Sequence, residues 1–212
     1  MARHGLAHGT HAHPAWAHHP QAHETNTGID NRKLGIWLFI ASESIFFASL
    51  LVGYLVLRGG HQPGVGPRDL FNIELTTVST FVLLMSSLAM VLAVNAAQRN
   101  AGRLARRWVL VTALMGLTFL GFQAYEFTHF YHAGLSLSSS VFGTAFYTLT
   151  GFHGAHVAVG VIWLLTLLYH GRGPGLTADK ADDVEVAGLY WHFVDIVWIV
   201  LFTVVYLLEF VQ

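Results

Sequence analysis

Five long apolar stretches leave this chain few ways to exist in water. A helix needs about 20 mostly apolar residues to cross ~30 Å of hydrocarbon. Five stretches meet that need, at roughly 34–57, 75–97, 108–128, 141–169 and 189–210. Only 11% of the 212 residues are charged, against about 25% in a soluble domain, too few to cover a water-facing surface. The expected fold class is therefore all-α: a polytopic membrane protein built as a five-helix transmembrane bundle. The fourth stretch exceeds the required length and should tilt or project beyond the lipid.

Polar segments separate the stretches. They are short, which predicts that sequential helices are antiparallel neighbours. On one side lie Arg3, Arg32, Lys33, Arg99, Arg103, Arg106, Arg107, Arg172 and Lys180; on the other, only Arg58 and Arg68. Lysine and arginine concentrate on the cytoplasmic side of membrane proteins, so the expected N-terminus is cytoplasmic and the C-terminus outside. Residues 1–33 hold seven of the 14 histidines and no apolar run. They read as a His-rich, disordered cytoplasmic tail with no secretory signal, and residues 34–212 read as the membrane domain. Imidazole suits copper, zinc or nickel, but the tail's irregular spacings favour a solvated segment. A net charge of −1 argues against nucleic acid. With no cysteine there is no disulfide, thiolate metal site or iron–sulfur cluster. Trp37, Trp108, Tyr190 and Trp191 fall near predicted cytoplasmic ends, as interfacial aromatics do. Gly116, Gly121, Gly143, Gly151, Gly154 and Gly160 should let helices approach closely. Five spans do not divide into the inverted repeats of many transporters.

Ionisable groups inside a bilayer are costly and mark specific sites. Glu43 sits roughly 14 Å into the first helix and Asp195 about 9 Å into the fifth. His153 and His156 lie near the middle of the fourth helix at i,i+3, which places them on one face. That spacing serves a metal or a carboxylate partner. Gln123 and Glu126 repeat it on the third helix, which predicts a buried polar cluster with Glu126 beside His153. His192 and Asp195 repeat it on the fifth. The plainer reading is that these groups satisfy one another and fix helix register; proton handling and lipid binding stay open. Glu43 has no charged neighbour on its own helix, and only Ser42 and Ser44 beside it. Low dielectric favours a neutral carboxyl, as a proton donor or a hydrogen bonder between helices. Haem needs axial ligands on facing helices, and no such pair is evident. The expectation is no catalytic residue, no metal site and no redox centre in this chain.

Four blocks carry a family resemblance. The first is Gly35-Ile36-Trp37-Leu38-Phe39-Ile40-Ala41-Ser42-Glu43 with Phe46-Phe47, and the second Gly121-Phe122-Gln123-Ala124-Tyr125-Glu126-Phe127. The third is Phe142-Gly143-Thr144-Ala145-Phe146-Tyr147 with Thr150-Gly151-Phe152-His153-Gly154-Ala155-His156-Val157. The fourth is Tyr190-Trp191-His192-Phe193-Val194-Asp195-Ile196-Val197-Trp198. In order and spacing, from about residue 28 to 211, the chain resembles subunit III of the haem–copper respiratory oxidases; the tail lies outside.

The resemblance implies a non-catalytic subunit of a proton-pumping cytochrome c oxidase in aerobic electron transport. Such a subunit sits beside catalytic subunit I, with subunit II and other respiratory subunits as further partners. Haem and copper belong to those partners; this chain would carry bound phospholipid and support proton uptake. It resembles a short form lacking the first two of seven helices, so that a lipid cleft between the two parts would be incomplete here. The position matching Glu43 is the family's buried carboxylate that reacts with hydrophobic carbodiimides; Glu126, His153, His156, His192 and Asp195 match its characteristic polar positions. Quinol oxidase subunit III and a nitric-oxide-reductase accessory subunit share the superfamily and are the alternatives, while Ser42-Glu43 leans toward cytochrome c. An independent proton or metal transporter is the remote alternative. The implied location is a bacterial-type plasma membrane.

Overall fold

The computed structural model describes residues 31–59, 72–173 and 175–208. Five helices dominate: α1 (Asn31–Leu57), α2 (Ile73–Gln98), α3 (Gly102–His132), α4 (Val141–His170) and α5 (Ala181–Leu201). A 3₁₀ turn, Ala178–Lys180, leads into α5, which ends in a π-helical turn, Phe202–Leu207. All five are long and apolar enough to cross a membrane, and the described residues contain no strand. The expected tail lies outside the described residues except for 31–33, which form the first turn of α1.

The helices outrun their apolar stretches because a helix does not stop where hydrocarbon stops. Arg103, Arg106 and Arg107, expected in a loop, lie in the first two turns of α3. α5 begins at Ala181, eight residues before its expected start. Asp195 is thus 14 residues into the helix, roughly 21 Å, deeper than expected. For the same reason Tyr190 and Trp191 are not interfacial: both are buried in the core. Trp37 is 56% exposed. Local chemistry marks the starts of α2 and α4. The side chain of Asn72 accepts from Leu75 N–H at 3.1 Å, and that of Ser140 from Gly143 N–H at 2.9 Å, satisfying amides a helix start leaves unpaired.

α2 packs on α3, α3 on α4, and α5 on both α2 and α4. These four form the core. α1 departs from the expected order, because its principal neighbours are α4 and α5. The 15-residue stretch 58–72 separates α1 from α2, long enough for the chain to pass to another side of the bundle. At one end of α1, Arg32 meets Asp183 at 2.8 Å, and Lys33 meets Glu185 at 3.1 Å and Asp182 at 3.5 Å. Toward the other end, Tyr54 lies 6.1 Å from Phe142 at the start of α4. α1 therefore runs parallel to α5 and antiparallel to α4. Only 11% of its apolar window is buried, against 33–56% for the other four.

Trp191 sits at the centre of the four-helix core. Its indole N–H donates to Ser86 Oγ on α2 at 2.8 Å. Its ring presses against Gly116 on α3 and Gly160 on α4, where an added Cβ would come within 2.5 and 2.9 Å of ring carbons. Seven residues along α5, Trp198 repeats the arrangement: its N–H donates to Thr80 Oγ1 at 2.9 Å, and its ring packs against Phe119 and His153, 4.8 Å from each centroid. Not every glycine serves as a seat. Gly121 and Gly151, expected at close approaches, face open space.

Overpacking a filled site costs about 1–3 kcal/mol, whereas Gly→Ala on an open helix face gains about 0.5–1 kcal/mol. Gly116→Ala is therefore expected to lower the midpoint of thermal unfolding in detergent, and Gly121→Ala to hold or raise it. Equal midpoints for the two variants would show that the Trp191 seat has room to spare.

Candidate functional site

A groove of about 700 Å³ runs between α1, α4 and the start of α5. Phe39, Phe152, Val159, Trp163 and Tyr190 supply much of its wall; Arg32 lies toward one end, and Glu43 and His156 are its deep polar groups. Glu43 is 11 residues beyond Arg32, roughly 16 Å along α1. Its isolation on its own helix is relieved from α4: His156 Nε2 lies 3.2 Å from Glu43 Oε2. Ser42 and Ser44 do not help, since their hydroxyls donate to the carbonyls of Phe39 and Ile40.

His156 is held at both ring nitrogens. His156 Nδ1 is 2.7 Å from the Phe152 carbonyl, which only accepts, so Nδ1 carries a proton. Nε2 then meets the carboxyl in one of two ways. It accepts from a protonated Glu43, or it donates as imidazolium to a carboxylate. Either way a hydrogen bond joins the acid and the base across the helix interface, which is how such groups coexist in apolar surroundings. Phe46 and Phe47 pack against the His156 ring, with centroids 6.5 and 5.0 Å away.

The remaining polar groups do not form the expected joint cluster. His153 is fully buried but faces α5, with Nε2 donating to the Val194 carbonyl at 3.2 Å. Its Nδ1 has no hydrogen-bond partner among the described residues. Adjacent i,i+3 positions thus serve different neighbours, because α4 is wedged between α1 and α5. Glu126 does not pair with either histidine. Thr76 Oγ1 on α2 lies 2.8 Å from its Oε1, and the Tyr206 hydroxyl donates to its Oε2 at 3.2 Å. Gln123 donates to the Thr150 carbonyl at 2.8 Å, and Gly154 leaves room for its amide. His192 and Asp195 do act together, through Ser87 on α2: its hydroxyl is 2.8 Å from His192 Nδ1 and also contacts Asp195 Oδ2.

Ser87, Thr76 and Tyr206 were missed as candidates. The hydroxyls of α2 do carry a signal, since Thr76, Thr80, Ser86 and Ser87 recur at helical spacing on the face toward α3 and α5. Among the described residues no group of three or more His, Asp or Glu side chains is placed to hold a metal ion. Both His156 nitrogens are engaged within the chain, and His153 is sealed between Phe119 and Trp198. This donor set does not fit haem or copper.

The family profile described as Cytochrome c oxidase subunit III matches residues 16–210. The chain belongs to the cytochrome c oxidase subunit III family. The match begins at residue 16, so the resemblance reaches into the tail that seemed to lie outside it. A cytochrome c oxidase subunit 3 of Alkalihalophilus pseudofirmus is 45% identical over 84% of this chain and 87% of its own length. One from Bacillus sp. strain PS3 is 41% identical over 91% and 94%. A quinol oxidase subunit 3 of Bacillus subtilis is 37% identical over 89% and 92%. These relatives are of similar length to this chain. The chain is subunit III of a haem–copper oxidase, a multi-pass protein of the plasma membrane and non-catalytic in itself.

If the Glu43–His156 bond holds α1 to α4, a double-mutant cycle with Glu43→Leu and His156→Leu should give a coupling of ~0.5–1.5 kcal/mol in unfolding. Additive effects would show that the bond contributes nothing. Ser87→Ala leaves two groups unpartnered and should cost about 1–3 kcal/mol; an unfolding midpoint equal to that of the unmodified chain would remove Ser87 from the α2–α5 interface energetics.

Proposed function

We propose that this subunit supports, without sharing, the chemistry of a proton-pumping terminal oxidase that takes electrons from cytochrome c. The observation that carries this reading is the way its polar groups are used. Each buried acid or imidazole links two helices, and Glu43 and His156 pair across α1 and α4. Such a set stiffens a bundle and can exchange a proton locally, but it does not line a continuous path. Haem and copper belong to partner subunits, with catalytic subunit I as the direct neighbour and subunit II beyond it.

Cytochrome c is favoured as donor by the higher identity to relatives named for it, 45% and 41% against 37% for the quinol oxidase relative, and by the Ser42-Glu43 pair. The quinol reading retains support, because that relative covers nearly the same length. Orientation follows from charge: the end holding Arg103, Arg106, Arg107, Arg172 and Lys180 faces the cytoplasm, by the positive-inside rule. The groove beside Glu43 suits a phospholipid chain, being apolar along its walls with Arg32 toward one end.

Affinity purification through this chain is expected to bring haem and copper subunits with it, and the complex to oxidise reduced cytochrome c faster than quinol. Faster quinol turnover would reverse the donor assignment. In that complex Glu43→Gln should leave initial turnover within about twofold of the unmodified enzyme, since the amide can still donate to His156 Nε2. Immediate and complete loss would place Glu43 in the reaction itself.

A further inference from the structure

A second groove, of about 580 Å³, opens on the opposite side of α4, between the first turns of α3 and the last turns of α4. Arg103, Arg106, Arg107 and Arg172 line it, over a floor that includes Leu110, Leu165 and Leu168. Arg172 lies over the Tyr169 ring at 4.6 Å. The lining contains four guanidinium groups and no carboxylate. We infer that this groove binds the phosphate headgroup of an anionic phospholipid, with an acyl chain running down the leucine floor between α3 and α4.

Three features support that occupant. First, these arginines have no ion-pair partner among the described residues, although acids are available at the same end of the bundle. Arg32 and Lys33 take Asp182, Asp183 and Glu185. The positive-inside rule accounts for cations at this end, but not for four of them around one groove without counter-charge. Second, helix stability does not explain them. Positive charge at a helix N-terminus opposes the helix dipole, yet α3 begins with three arginines, no acid in its first turn and no side-chain cap. An anion seated there offsets both the mutual repulsion and the dipole. Third, the groove changes character along its length, from guanidinium to leucine. A soluble phosphate uses only the first part, and a diacyl lipid uses both. Arginine presents a planar fork of donors to phosphate oxygens, and basic pockets between transmembrane helices on the cytoplasmic side take anionic headgroups.

The site is separate from the groove beside Glu43. The two share no lining residue, and this inference needs only that the chain spans a membrane. Its test does not depend on turnover.

The oxidase complex purified through the full chain would be titrated in neutral detergent with phosphatidylglycerol or phosphatidylcholine, and bound lipid counted by native mass spectrometry. The expected result is preferential retention of phosphatidylglycerol. Combining R103Q, R106Q, R107Q and R172Q should weaken that retention at least about tenfold, while R99Q, on the same side and outside the groove, should leave it unchanged. Thermal midpoints of each variant would establish that the fold persists. Should the fourfold variant unfold, R106Q with R172Q takes its place, with a loss of at least about threefold expected. Three results would overturn the proposal: equal retention of the two lipids, unchanged retention in a folded arginine variant, or complete displacement of phosphatidylglycerol by millimolar inorganic phosphate. The last would reassign the groove to a soluble anion.

Discussion

Four of the five helices are held in register through one side chain. Trp191 hydrogen-bonds Ser86 on α2 while its ring rests on Gly116 of α3 and Gly160 of α4. Lipid tails are as apolar as leucine, so helices in a bilayer gain little by hiding apolar surface from the solvent. They gain by close packing and by satisfying polar groups internally. Trp191 does both, and Trp198 repeats it one heptad on, with Thr80 as acceptor and Phe119 and His153 as its ring contacts. The polar sets of α2 follow from that register. Once α5 is fixed against α2, Ser87 faces His192 and Asp195, and Thr76 faces Glu126 near Tyr206.

α1 stands apart from this arrangement. It contributes only Ile36, Phe47 and Tyr54 as buried residues. What holds it is distributed by depth: ion pairs to the start of α5, the Glu43–His156 pair within the membrane, and the Tyr54–Phe142 contact toward the far end. The ion pairs are exposed and individually weak. The mid-membrane pair lies where water does not compete, and it marks the deep part of the groove between α1 and α4. Glu43 and His156 therefore both hold α1 to α4 and line the groove between them.

The sequence made some of this legible and hid the rest for physical reasons. Five spans were readable because hydrophobic length is a property of the chain alone. Helix ends were not: α3 and α5 start in polar residues, since backbone hydrogen bonding continues past the edge of the hydrocarbon. The polar positions were readable as a set, but their partners were not. The i,i+3 spacing of His153 and His156 places both near one face, and only the packing of α4 between two helices sends one to Val194 and the other to Glu43. Likewise no periodicity in α1 records that it stands beside α4 and α5. Small hydroxyl side chains are quiet in a hydropathy profile. That is why Thr76 and Ser87, which satisfy two of the three deepest acids, were passed over.

The distribution of polar groups also separates the readings of what such a bundle does. A transporter must offer its cargo successive sites along one path, with each group free to change partners. Here Gln123, Glu126, His156 and His192 are each bound to a helix other than their own, and their contacts lie in different interfaces. Two acceptor atoms, His153 Nδ1 and Asp195 Oδ1, lack a hydrogen-bond partner among the described residues, and both belong to α4 and α5, at the core. Between α1 and that core, Phe47 packs against the Phe193 ring of α5 and the buried His153 ring of α4. Aromatic packing of this kind, with each polar group held across a helix interface, fits a rigid support.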